Sequence, residues 1–226
     1  MQLDDLWVII AAYNEADAIG PVVAGLRNAG AWVVVVDDGS LDQTARVALR
    51  SGAIVLPHPV NLGQGAALAT GIQFALESGA RYLATFDADG QHRVEDLVCL
   101  YALLREGKAD VVIGSRFLGS GADMPAARRL LLRGAVAFTR LTTGLRLTDA
   151  HNGLRVMTAG AAAQIRITQN GMAHASEILE EIARRRLRVL EAPITVLYTQ
   201  YSLAKGQRSL NAVNILLDLL TGRLQR

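Results

Sequence analysis

Apolar residues run unbroken over LWVIIAA at 6–12 and AWVVVV at 31–36, and shorter runs follow in AIVLP at 53–57, RYLATF at 81–86 and DVVIG at 110–114. Continuous rather than alternating hydrophobicity at this length suits strands covered on both faces. Between these runs, segments 15–29, 41–51, 64–78 and 93–106 read as helices, with Ser40 placed to cap the second. Gly30, Gly52, Gly79 and Gly107 stand where the four helices should stop. Strand and helix alternating in this way predict an α/β fold with a mostly parallel sheet, right-handed crossovers and helices on both faces. In such sheets ligands sit beyond the carboxyl ends of the strands.

The polar residues fall at those ends. Strand one closes in AAYNE, strand two in DDGS, strand four in DADGQ and strand five in GSR, so four polar clusters open onto one rim. Asp87 and Asp89 stand two positions apart, and at an extended strand end such a pair points to one side with about 7 Å between the residues. Two carboxylates so close repel unless a cation lies between them. Hard oxygen ligands favour magnesium or manganese, and a sparse acidic site leaves room for substrate phosphates on the metal. Gln91 adds a neutral oxygen two residues on. Against this stands the ordinary role of acids in turns and helix caps, which is the commoner fate of a lone D-x-D.

Composition narrows the classes. Half of the 226 residues are hydrophobic, 51%, and 19% are charged, as expected of a globular chain with a sizeable core. The formal net charge of +2 gives no reason to expect nucleic acid. A single cysteine, Cys99, excludes an intramolecular disulfide and fits a reducing compartment; it falls on the apolar face of its helix, where core packing is expected. No apolar stretch reaches the length needed to span a bilayer, and no signal peptide is apparent. The expected location is cytoplasmic.

Six segments together resemble the family-2 glycosyltransferases of GT-A fold, and within them the polyprenyl-phosphate hexose synthases of the dolichyl-phosphate mannose synthase type. They are AAYNE at 11–15, VVDDGSLDQT at 35–44, NLGQGAALATG at 61–71, DADGQH at 87–92, GSR at 114–116 and DAHNGLRV at 149–156. The resemblance implies a GT-A domain over residues 1–200 with a C-terminal loop and amphipathic helix over 201–226. It implies an inverting hexosyltransferase that takes the sugar from a nucleotide-sugar donor, of GDP-mannose or UDP-glucose kind, to a polyprenyl phosphate. On this reading Tyr13, Glu15, Asp37 and Asp38 hold the base and ribose, and Gly63 lies where backbone closes over the nucleotide. Asp87, Asp89 and Gln91 occupy the metal and diphosphate positions for Mg2+ or Mn2+. Arg116 and Arg128 match the residues that meet the acceptor phosphate, although Leu132 stands where relatives often have serine. Asp149 is a candidate base or orienting group, and Glu177 an acid near sugar or acceptor. A surface glycan or other acceptor is the alternative substrate for the same site.

Residues 126–147 mix leucine, valine and phenylalanine with five arginines and no acid. Such a segment suits a helix in the headgroup layer or an ordinary helix packed on the sheet, and the resemblance favours peripheral contact with the inner face of the membrane. The tail 209–226 carries an apolar stripe at 210, 213, 216, 217 and 220, suited to the membrane, to a second protomer or to an integral membrane partner. His92 reads as a solvated or cap residue at a helix start, His151 as a turn residue, and Lys205 as either a surface lysine or a phosphate contact. FDADGQ also superficially resembles the opening motif of haloacid-dehalogenase phosphatases, but it ends the fourth strand rather than the first. A receiver domain would be about half as long. A non-catalytic nucleotide-sugar sensor would have no need of Asp87, Asp89, Arg116 and Asp149 together.

Overall fold

In the computed structural model, residues 2–118, 134, 136–137, 139–149 and 152–197 are described. Seven strands form one sheet: β1 (Leu6–Ala12), β2 (Trp32–Asp37), β3 (Ile54–Pro57), β4 (Tyr82–Thr85), β5 (Val111–Ser115), β6 (Arg155–Thr158) and β7 (Val189–Pro193). Their order across the sheet is β3-β2-β1-β4-β6-β5-β7. Helices with full bounds among the described residues are α1 (Ala16–Asn28), α2 (Thr44–Arg50), α3 (Gln64–Glu77), α4 (Val94–Arg105), the single turn α5 (Ala159–Ala162) and α6 (His174–Arg184), and residues 139–143 are helical as well.

Alternate residues of each strand face opposite layers. Leu6, Val8, Ile10, Val33 and Val35 join Ile19, Val23 and Leu26 of α1 and Leu97, Leu100 and Leu104 of α4 in one core. Ile9, Leu83, Val111 and Met157 pack on the other side with Leu68, Ile72 and Ala75 of α3 and Ile178 and Ile182 of α6. Burial on both faces is why the strands read as unbroken apolar runs, each fully buried Leu or Ile contributing about 1.5–3 kcal/mol. This is the GT-A arrangement expected from the sequence.

One strand departs from the simple alternation. β6 runs antiparallel between β4 and β5, pairing Thr85 with Arg155 on one side and Ile113 with Arg155 on the other. Strands four and five, consecutive in sequence, are therefore not neighbours. Both still run parallel to β1, through β6 in the case of β5, so their carboxyl ends share the expected rim.

Two local expectations are corrected. The second helix begins at Thr44 rather than 41, and Ser40 does not cap it. Its Oγ instead accepts the Asn14 amide at 2.9 Å, while the Leu41 amide donates to Asn14 Oδ1 at 2.8 Å, which stitches residues 40–43 to the end of β1. Asn14 adopts φ 54, a left-handed conformation that Asn tolerates, to make that corner. Cys99 lies on the exposed side of α4, with Leu97 and Leu100 facing the core in its place.

Candidate active site

At the carboxyl rim a cleft of about 410 Å³ opens between the ends of β1 and β4, the loop before α3 and the start of α6. Tyr13, Glu15, Asp38 and Gly63 line one part of it, Asp87 and Asp89 another, and Asn152, Gly153, Arg155 and His174 a third. Asp37, Gln91, Arg116 and Asp149 are not among the lining residues.

The wall on the β2 side is built around Asp38. Buried at 3% exposure, its carboxylate accepts the amides of Leu62 at 2.9 Å and Gly63 at 2.8 Å and faces His58 Nδ1 at 2.8 Å. The other His58 nitrogen lies 3.0 Å from Thr70 Oγ1 on α3. Asp38 thus fastens the 58–63 loop over the end of β2. Asp37 serves the turn instead, its Oδ1 accepting the Ser40 amide at 3.2 Å. The loop is also pressed against residues 169–171: a Cβ on Gly63, where φ is +102, would lie 2.3 Å from the Asn170 carbonyl oxygen, and one on Gly65 2.0 Å from that of Gln169. Those two glycines account for the G-Q-G spacing.

Glu177 supports this contact rather than lining the cleft. Its carboxylate accepts the amides of Thr168 at 2.8 Å and Gln169 at 2.9 Å and the Thr168 hydroxyl at 2.5 Å, which ties down the segment that meets Gly63 and Gly65. An acid expected near sugar or acceptor is here a brace for the loop.

Asp87 and Asp89 leave β4 on the same rim but differ in surroundings. Asp87 Oδ2 lies 2.8 Å from His92 Nε2. Burial alone would raise its carboxyl, but the His92 hydrogen bond and the charges of His92, Arg155 and His174 outweigh burial and hold it below the ordinary aspartate value. Burial and the adjacent charge of Asp87 push Asp89 above that value, only partly offset by the Gln91 amide, which donates to Asp89 Oδ1 at 3.0 Å. Gln91 acts through its backbone: its carbonyl also accepts the Leu197 amide at 2.9 Å. His92 is buried, at 8% exposure, against the Phe86 ring, contrary to a solvated helix start.

Beside the cleft, Arg116 and Asp149 form one unit. Arg116 Nε and Nη2 donate to the two Asp149 oxygens at 2.7 and 2.8 Å, and the Arg116 amide adds a third bond at 3.2 Å. Glu191 of β7 accepts the Thr148 and Asp149 amides and so fixes the peptide that carries the acid. Arg128, Leu132, His151, Lys205 and the tail 209–226 lie outside the described residues, as do 126–133, 135 and 138 of the 126–147 segment.

Sequence reasoning passed over His58 and Arg155 and took His92 for a solvated or cap residue. His58 follows the third strand and His92 follows Asp87 by five positions, and each is defined by a carboxylate distant from it along the chain or across a turn. Arg155, at 1% exposure, lies within a quoted motif, but its place between β4 and β5 depends on the antiparallel insertion. His174 also lines the cleft; its Nδ1 donates to the Gly171 carbonyl at 2.8 Å, and burial lowers its pKa.

Residues 7–166 match the family description "Glycosyl transferase family 2". The chain belongs to glycosyl transferase family 2. An uncharacterized protein from Methanocaldococcus jannaschii is 35% identical over 98% of this chain and 93% of its own length. The UDP-N-acetylglucosamine–dolichyl-phosphate N-acetylglucosaminyltransferase of Methanococcus voltae is 30% identical over 95% of this chain and 94% of its own. The undecaprenyl-phosphate mannosyltransferase of Micrococcus luteus is 33% identical over 83% and 81%. Among solved structures, glucosyl-3-phosphoglycerate synthase from Mycobacterium tuberculosis with Mn2+, UDP and its product superposes with a TM-score of 0.70 at 19% identity, covering 96% of this chain and 78% of that one. The family-2 fold is thus shared where sequence is mostly not.

Proposed function

We propose that the chain is an inverting transferase that moves a hexose from a nucleotide sugar to a polyprenyl phosphate at the inner face of the membrane. The observation that carries this reading is the convergence of Tyr13, Glu15 and Asp38 with Asp87 and Asp89 in one cleft, with the Arg116–Asp149 pair beside it. Relatives alignable over most of their length act on dolichyl or undecaprenyl phosphate, which supports a lipid-phosphate acceptor. Exposed Val60, Leu62 and Met172 on the loops bordering the cleft suit a site that works against a lipid surface.

Tyr13 and Glu15 would meet the nucleoside, with the loop fastened by Asp38 closing over it. Asp87 and Asp89 suit a hard divalent cation of Mg2+ or Mn2+ kind. Burial first and then the neighbouring Asp87 charge raise the Asp89 carboxyl, and a cation would relieve the second of these. Among the described residues no cluster of three His, Cys, Asp or Glu side chains is placed to hold a metal alone, which fits an ion completed by diphosphate oxygens. Bound there, the cation would neutralise charge developing on the departing nucleotide. The acceptor phosphate is already ionised at neutral pH and attacks the anomeric carbon without a strong base. Arg116, held in place by Asp149, would orient it through charge-assisted hydrogen bonds.

The deciding experiment is a screen of labelled GDP-mannose, UDP-glucose and UDP-N-acetylglucosamine with undecaprenyl or dolichyl phosphate and Mg2+ or Mn2+. Label should pass into the organic phase with one donor. Transfer to a water-soluble phosphorylated acceptor alone would replace the lipid reading, and no transfer with any pair would sink the catalytic one.

A further inference from the structure

The cleft carries four acids, Glu15, Asp38, Asp87 and Asp89, and a diphosphate entering it would be repelled. Arg155 is the single Lys or Arg among its described lining residues. It stands at the start of β6, where strand alternation puts it on the same side as Met157, towards α6 and His174. It is 1% exposed, yet its Nε has no hydrogen-bond partner among the described residues. Asp87 and Asp149 act on it through charge. Both acids are already engaged, Asp87 with His92 and Asp149 with Arg116, so neither needs Arg155 to be satisfied. A buried guanidinium with an unmet donor is a costly arrangement that a protein keeps where an anion is to be received.

Resting on the reading of a nucleotide-sugar donor, we propose that Arg155 is a binding residue for the donor's diphosphate, its guanidinium donating to a phosphoryl oxygen that enters beside Asp87. The guanidinium fork matches phosphoryl oxygens, and the low polarity of the buried position strengthens the contact. Burial draws the Arg155 pKa down to about 10, which leaves it charged at neutral pH. The diphosphate rather than the acceptor phosphate is its ligand because Arg155 opens into the cavity that Tyr13, Asp38 and Gly63 line, whereas Arg116 and Asp149 do not reach it.

The test compares the full chain with Arg155→Met and Arg155→Lys by calorimetric titration with UDP, GDP, uridine, guanosine and inorganic diphosphate, with and without Mg2+, alongside melting of the unliganded proteins. The methionine variant should bind the preferred nucleoside diphosphate about 10- to 100-fold more weakly. Its affinity for the nucleoside should not change, and its unliganded melting temperature should hold, because Asp87 and Asp149 keep His92 and Arg116 as partners once Arg155 is gone. Arg155→Lys, which keeps charge but loses the fork, should show the same split in smaller measure and decides the matter if the methionine variant does not fold. Unchanged diphosphate affinity, or equal loss for diphosphate and nucleoside with a lowered melting temperature, overturns the proposal. So does a rise confined to the acceptor KM. Wild-type protein that binds no nucleoside diphosphate would instead sink the donor reading itself, and this proposal with it.

Discussion

Arg116 and Asp149 meet side to side through two bonds of 2.7 and 2.8 Å, with the acid at 1% exposure and the arginine only partly open to solvent. Both carboxylate oxygens are engaged, so in the proposed reaction the acid would act through the arginine. Arg116→Lys cannot reproduce the fork and is expected to raise the acceptor KM with little change in donor affinity. Asp149→Ala leaves a partly buried cation without its partner and should cost about 3–5 kcal/mol in denaturant unfolding.

Asp89 gives a pH-dependent test. Its carboxyl is raised, so between the ordinary aspartate value of about 3.9 and the raised one the folded chain keeps a proton that the unfolded chain has released. Stability therefore falls as pH rises through that window. Asp89→Asn should melt at or above wild type at neutral pH, lose that advantage in strong acid, and turn over about 100-fold more slowly or worse. Calorimetry at two pH values with a transfer assay checks both halves.

Gly153 has no room for a side chain. A Cβ there would lie 2.4 Å from Asp87 Oδ1 and 2.6 Å from Oδ2. Gly153→Ala must displace that carboxylate, and the expected cost is about 1–3 kcal/mol of stability together with weakened nucleotide binding in the presence of Mg2+. A fully active alanine variant would show that Asp87 has freedom its packing denies.

His58 links Thr70 of α3 to Asp38 and through it to the 62–63 amides. His58→Ala removes that link from a buried network and should cost about 1–3 kcal/mol. Hydrogen exchange at Leu62 and Gly63 should accelerate, with nucleoside affinity reduced.

The alternation of strands and helices was legible because burial on both faces leaves long apolar runs such as WVVVV, and the rim was legible because parallel strands all end on one side. The insertion of β6 was not: RVMT is four residues long and starts with an arginine, and its partners lie far off in sequence. Arg155 and His58 were missed, and His92 misread, for the same reason, since a buried polar residue takes its meaning from contacts that local patterning does not encode. Cys99 and Ser40 show the converse. Each fits a helix rule taken alone, and each is overruled by neighbours, Leu97 and Leu100 in one case and Asn14 in the other.

The antiparallel strand has one more consequence. Because β6 fills the gap between β4 and β5, a nascent chain that has emerged only as far as residue 150 holds every acid of the DADGQ motif but has two unpaired edges where the sheet should be continuous. Closing that gap demands a long-range pairing, which belongs to the slow end of folding. Arg155 and Gly153 arrive with that same strand, so the wall of the cleft beside Asp87 is built only as the gap is closed. A chain arrested at residue 150 would carry the acids of the rim without the wall that faces them.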